Sequence, residues 1–161
     1  MNKIPLAMEE LHRSEHELAV ELLRMSDRHK AEHEVFHLAR DLSQWSAEHI
    51  RELARAGRDR GLDLAEDVDE PSTLATGVRE KTAELLGRRP EPGLVLLADL
   101  RRIHLMAAGV SLDWEVLGQA AQAARDRELL ALTKRCHPET LRQARWANAM
   151  LKEAAPQVLL S

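Results

Sequence analysis

From residue 6 to residue 60 the chain contains no proline, and its only glycine there is Gly57. Over the same stretch, apolar residues return at alternating intervals of three and four. A breaker-free segment with that period commits the chain to long amphipathic helices. The spacing predicts helices over 6–28 and 31–60, with Ser26-Asp27-Arg28-His29-Lys30 as the turn between them. That turn lacks Gly and Pro, so a single unbroken helix is the alternative. Gly57 and Gly61 mark the end of the second helix.

Residues 62–76 change character. Glu66-Asp67-Val68-Asp69-Glu70-Pro71 is acidic and proline-broken, which reads as an exposed connection. A short helix is expected at 77–86, and Gly87-Arg88-Arg89-Pro90-Glu91-Pro92-Gly93 reads as a second loop. Two more long helices are expected at 94–124 and 127–153, with Asp126 as N-cap and Glu128 in the first turn. Pro156 is expected to end the last one, leaving the apolar tail Val158-Leu159-Leu160. The pattern is a single all-α domain over residues 1–161: two helical hairpins joined by one long crossover. Four-helix bundles with such a connection include the ferritin-like folds. An irregular five-helix domain is the other architecture compatible with it.

Composition excludes several classes. Aromatic residues are 2% of the chain and Tyr is absent, which argues against a β-sandwich or barrel. The formal net charge is −4, without the basic excess expected of a nucleic-acid binder. The longest apolar run, Leu94–Ala98, falls far short of the roughly 20 residues a membrane span needs. Met1-Asn2-Lys3-Ile4-Pro5 does not open a signal peptide. Cys136 is the only cysteine, so no disulfide forms within the chain. These features fit a cytoplasmic protein that meets neither nucleic acid nor membrane and whose partner is another copy or another protein.

A bundle core is lined by one narrow seam per helix. The first reads Met8, Leu11, Glu15, Leu18, Leu22, Met25, and the second Val35, Leu38, Leu42, Trp45, His49, Leu53, Ala56. The third reads Met106, Val110, Asp113, Leu117, Ala120, and the fourth Leu129, Leu132, Cys136, Glu139, Gln143, Trp146, Met150. Each carries one ligand-type residue: Glu15, His49, Asp113 and Glu139. Glu15 and His49 are equidistant from a turn at 32, and Asp113 and Glu139 from a turn at 126. The four therefore share one depth at mid-bundle. Buried ionised groups persist when paired, hydrogen-bonded or bound to metal. Three carboxylates and an imidazole suit iron, manganese or zinc, and such a site polarises water or handles dioxygen. The equal alternative is a metal-free hydrogen-bonded network pairing Glu15 with His49 and Glu139 with Gln143. A seam misread by one residue would instead turn a carboxylate outward.

Other motifs are weaker. Glu34-Val35-Phe36-His37 matches the Glu-x-x-His of di-iron proteins, but both ligand-type residues face away from the seam and lack a partner at equal depth. His29, His33 and His37 form a stripe assigned to the charged, solvated face, and His12 and His16 are read the same way. His104 and His137 are read as interfacial or surface residues, and Cys136 as a small core residue. The three Trp residues are assigned to the core. Close helix packing is the expected role of Gly109 and Gly118. Pro138 either bends the fourth helix or starts it.

Several segments carry a family likeness. They are Leu11-His12-Arg13-Ser14-Glu15, Trp45-Ser46-Ala47-Glu48-His49, Leu117-Gly118-Gln119-Ala120-Ala121 and Leu151-Lys152-Glu153-Ala154-Ala155-Pro156-Gln157. On these the chain resembles a family of uncharacterised bacterial helical proteins grouped with the ferritin-like superfamily. The resemblance implies a four-helix bundle in which Glu15 and Glu139 match bundle carboxylates and His49 a ligand histidine. Ferritin-like relatives hold two metal ions with Glu and paired Glu-x-x-His ligands. Here Ser46 replaces the Glu expected before His49, and Arg142 the His expected after Glu139. The resemblance so amended implies a mononuclear or degenerate site, or none. The functional expectation is a bundle binding one transition metal for redox or hydrolytic chemistry. Its alternative is a non-catalytic scaffold acting through its outer faces or its tail.

Overall fold

The computed structural model describes residues 2–69 and 91–161. The described residues form four long helices: α1 (Ile4–Arg28), α2 (His33–Arg58), α3 (Pro92–Ala123) and α4 (Arg127–Leu159). The short helix expected at 77–86 lies outside the described residues, as does most of the loop at 87–93.

The helices pack as two hairpins, α1 with α2 and α3 with α4, and α1 also packs along α3. Contact between α2 and α4 is the sparsest of the four seams. Side-chain pairs set the directions. Ser14 meets Asp113 while Arg28 meets Asp99, so α1 and α3 run antiparallel. Leu42 meets Gln143 while Glu52 meets Arg135, so α2 and α4 do too. Every helix is thus antiparallel to both neighbours, and α2 and α3 point the same way. After α2 the described chain runs back beside α1: His12 Nε2 donates to the Ala65 carbonyl (2.7 Å), and the Asp69 amide donates to His16 Nε2 (3.1 Å). Leu62, Leu64, Glu66 and Val68 are half-buried between exposed neighbours, the period-2 pattern of an extended strip laid on a surface.

The α1–α2 turn spans 29–32, a little beyond the expected 26–30 because Ser26–Arg28 stay in α1, and no breaker residue makes it. Instead His29 leaves the helix to reach Asp99, and Ser26 Oγ donates to the Phe36 carbonyl (2.8 Å) across the hairpin. The α3–α4 turn is tighter. The Asp126 amide bonds the Ala121 carbonyl and the Arg125 amide bonds that of Gln122, the Schellman pattern. Arg125 takes the left-handed conformation there, with φ 57°, where glycine is usual. Asp126 then caps α4 as expected, accepting from the Leu129 amide at 3.0 Å.

Pro156 does not end α4, which continues to Leu159. A proline removes one amide donor but does not forbid the next turn when packing holds it. Val158 supplies that packing: it lies so close to Gly93 at the start of α3 that a Cβ there would sit 2.8 Å from it. Pro138 lies inside α4, so it does not start that helix.

The α1 seam is buried over its whole length. In α2, Leu38 and Trp45 are only half-buried, and Ala39, Ser46 and Ile50 take the inward positions. In α3 the inward residues are Ile103, Ala107, Val110, Trp114, Leu117 and Ala121, so three of the five expected positions slip by one residue. The physical reason is that α3 is apolar nearly all round, so periodicity does not single out one face. In α4, Thr140 and Ala147 join the core, while Glu139, Trp146 and Met150 lie at its edge.

Candidate functional site

Mid-bundle, one side chain from each helix enters a common polar cluster. Glu15 of α1 is fully buried. Its Oε1 accepts from His49 Nδ1 of α2 at 2.8 Å and from Trp114 Nε1 of α3 at 2.7 Å. The imidazole and indole rings meet edge to face, 5.8 Å between centroids. On the other side of the imidazole, His49 Nε2 faces Glu139 Oε2 of α4 at 3.6 Å, beyond hydrogen-bonding distance. Glu139 is the least buried member, at 35% side-chain exposure, so the cluster opens toward the sparse α2–α4 seam. One turn farther along that seam lies a groove of about 330 Å³ lined by Glu52, Arg55, Glu128 and Arg135 among others.

The sequence thus brings together Glu15, His49 and Glu139 as anticipated, while Trp114 takes the place expected for Asp113. Asp113 is half-buried beside it, and its Oδ2 accepts from Ser14 Oγ at 2.8 Å. The shift follows from the one-residue slip in α3. Aromatic volume also favours Trp114 inward, because an indole fills the centre while its N–H answers a buried carboxylate. Gln143 does not pair with Glu139: its Nε2 donates to the Leu42 carbonyl (2.8 Å) and Ser46 Oγ (2.9 Å).

Burial by itself would push the His49 pKa down. The hydrogen bond His49 donates to Glu15 and the negative charges of Glu15, Glu139 and Glu52 outweigh it, so the pKa rises above the usual histidine value. Cys136 lies in the same acidic surroundings. Burial and the negative charges of Glu52, Glu15 and Glu139 push its thiol well up, leaving it an inert core residue as expected. Among the described residues, Glu15 Oε2 and His49 Nε2 find no hydrogen-bond partner. Among the described residues, no three His, Cys, Asp or Glu side chains stand together in a way that would hold a metal ion.

A second polar cluster escaped the sequence reading. His29, assigned to the solvated stripe, is 94% buried because its Nε2 donates to Asp99 Oδ2 at 2.7 Å. Arg28 bonds both oxygens of Asp99 and also Glu21 Oε1. Burial would raise the Asp99 pKa, but the bonds from His29 and Arg28 prevail and hold it below the usual carboxylate range. The available signal was Asp99 itself, a lone carboxylate between Leu96 and Leu100 on an apolar helix. His33, Glu34 and His37 are exposed, as expected. His104 and His137 bridge α3 and α4 through the Ala144 carbonyl and Ser111.

No helix among the described residues is long and apolar enough to cross a membrane. No protein-family model matches the chain, and no curated protein or solved structure matches it either. The structure therefore establishes a helical protein of two packed hairpins around a buried polar network.

Proposed function

We propose that this chain is a cytoplasmic helical scaffold of ferritin-like architecture whose central cluster holds a proton rather than a catalytic metal pair. The observation that carries this reading is His49 set between two carboxylates, Glu15 at 2.8 Å and Glu139 at 3.6 Å. An imidazolium there balances charge that no Arg or Lys of the cluster supplies. Because the members come from four different helices, the cluster specifies how those helices pack. The donor set does not fit the two-metal centre of ferritin-like relatives: Ser46 and Arg142 stand where two ligands would be needed. The bundle then acts through its outer surfaces.

One observation favours a second reading, in which a single transition metal binds. His49 Nε2 is 98% buried with its residue, lacks a hydrogen-bond partner, and faces a carboxylate. Glu15 would fix the ring through Nδ1, the usual outer-shell arrangement of a metal-binding histidine. His49 and Glu139 would then be the ligands, with Asp113 outside the set. Iron, manganese or zinc so bound would polarise water or handle dioxygen.

Nitrogen NMR of the histidine rings at neutral pH separates the two, together with elemental analysis after metal loading and desalting. The first reading expects both His49 nitrogens protonated and no retained metal. Near-stoichiometric metal that disappears in His49→Ala and Glu139→Gln would overturn it in favour of the second.

A further inference from the structure

Helix α3 is apolar on both sides. Its inner face is core, yet its outer face carries Leu105, Leu112 and Val116 at 53%, 62% and 63% exposure. Single exposed leucines are ordinary. These three are not scattered: with Gly109 between Leu105 and Leu112 they follow the three-and-four spacing of a helix-pairing seam. Gly109 sits in the middle of that seam. A Cβ on it would meet nothing within 4 Å, whereas one on Gly118 would lie 3.3 Å from Thr133 Oγ1. Packing among the described residues therefore accounts for Gly118 and not for Gly109, which costs the helix about 1 kcal/mol relative to alanine.

We infer that this face of α3 pairs with the same face of a second copy of the chain, antiparallel, about a two-fold axis at the Ala108–Gly109 step. The pattern is self-complementary about that point. Leu105 and Leu112 lie at equal distances on either side of it, and the exposed Arg101 and Glu115 do so to within one residue. Antiparallel pairing therefore sets Leu105 against Leu112 of the partner subunit. It also sets Arg101 against Glu115 of the partner subunit, twice by symmetry. Parallel pairing would instead oppose like charges. Gly109 at the crossing lets the two backbones approach closely. The contact is independent of whether the core cluster holds a proton or a metal.

Light scattering coupled to size exclusion tests the pairing on the full chain. The expected mass is twice 18.2 kDa. Leu112→Glu, on an outward position, should yield a monomer with unchanged helical circular dichroism. Arg101→Glu should raise the dimer Kd about tenfold, and adding Glu115→Arg should restore it. Gly109→Cys should cross-link two copies under mild oxidation. The inference is overturned by a chain that stays monomeric throughout the concentration range. A dimer indifferent to Leu112→Glu, or a charge swap that restores nothing, overturns it as well. Elemental analysis and histidine NMR are unaffected by any of these outcomes, so the two proposals fail separately.

Discussion

Two histidines in this bundle donate to buried carboxylates at nearly the same distance, His49 to Glu15 at 2.8 Å and His29 to Asp99 at 2.7 Å. Their surroundings differ. Asp99 also receives two bonds from Arg28, and Glu21 beside it is met by Arg28, Arg24 and Arg102. Permanent cations balance that cluster, and Arg28 keeps 20% of its side chain in solvent. At mid-bundle no arginine of the described residues reaches Glu15; its donors are an imidazole and an indole. A carboxylate paired with guanidinium stays compensated at any ordinary pH. A carboxylate compensated by imidazole depends on a titrating proton.

That contrast is most sharply broken by removing each carboxylate. Glu15→Ala should cost about 3–5 kcal/mol, since it strands a buried imidazolium and a buried indole N–H. Asp99→Ala should cost less, about 2–3 kcal/mol, because Arg28 can turn to water and to Glu21. Urea unfolding of the two variants checks the order, and equal losses would erase the distinction drawn here.

The pH dependences should oppose each other. The His49 pKa is raised on folding, so its contribution is complete below the ordinary histidine value and is lost as pH climbs through the folded value. The stability gap between wild type and Glu15→Gln should therefore narrow on going from pH 6 to alkaline conditions. The Asp99 pKa is lowered, so its contribution is complete above 3.8 and fades as pH falls through the folded value. The gap to Asp99→Asn should narrow only in acid. Denaturation series across pH measure both gaps, and slopes of the same sign would refute the account.

Smaller effects sharpen the picture at the turns. Asp126→Ala removes the α4 cap and the Arg60 ion pair at 2.6 Å, for an expected loss of about 1 kcal/mol. Arg125→Gly should instead stabilise the chain, by about 0.5 kcal/mol, because glycine takes the left-handed conformation without the Cβ penalty. A small rise in thermal midpoint would register it.

Much of the site was legible because α1 and α2 are strongly two-faced. Glu15 and His49 stand out as polar residues on otherwise apolar seams, and their equal depth follows from the hairpin. Trp114 was not legible. On α3, Asp113 and Trp114 are adjacent candidates for one inward position, and a helix with apolar residues on its outer as well as its inner side gives no clear polar face to choose between them. His29 was misplaced for a related reason. Its neighbours in sequence are charged, and its partner Asp99 lies 70 residues away.

Breaker-free length over α1 and α2, recurrent apolar residues over α3 and α4 and an acid before α4 were enough to commit this chain to four long helices, since helix formation depends on contacts three and four residues apart. Tertiary structure alone decided which side of α3 faces inward. It also decided that α4 runs through Pro156 to pack Val158 on Gly93, and that one histidine meets arginine-bound Asp99 while the other meets Glu15. Those outcomes rest on volume and charge supplied by other helices, and no local pattern encodes the identity of a neighbour across the core.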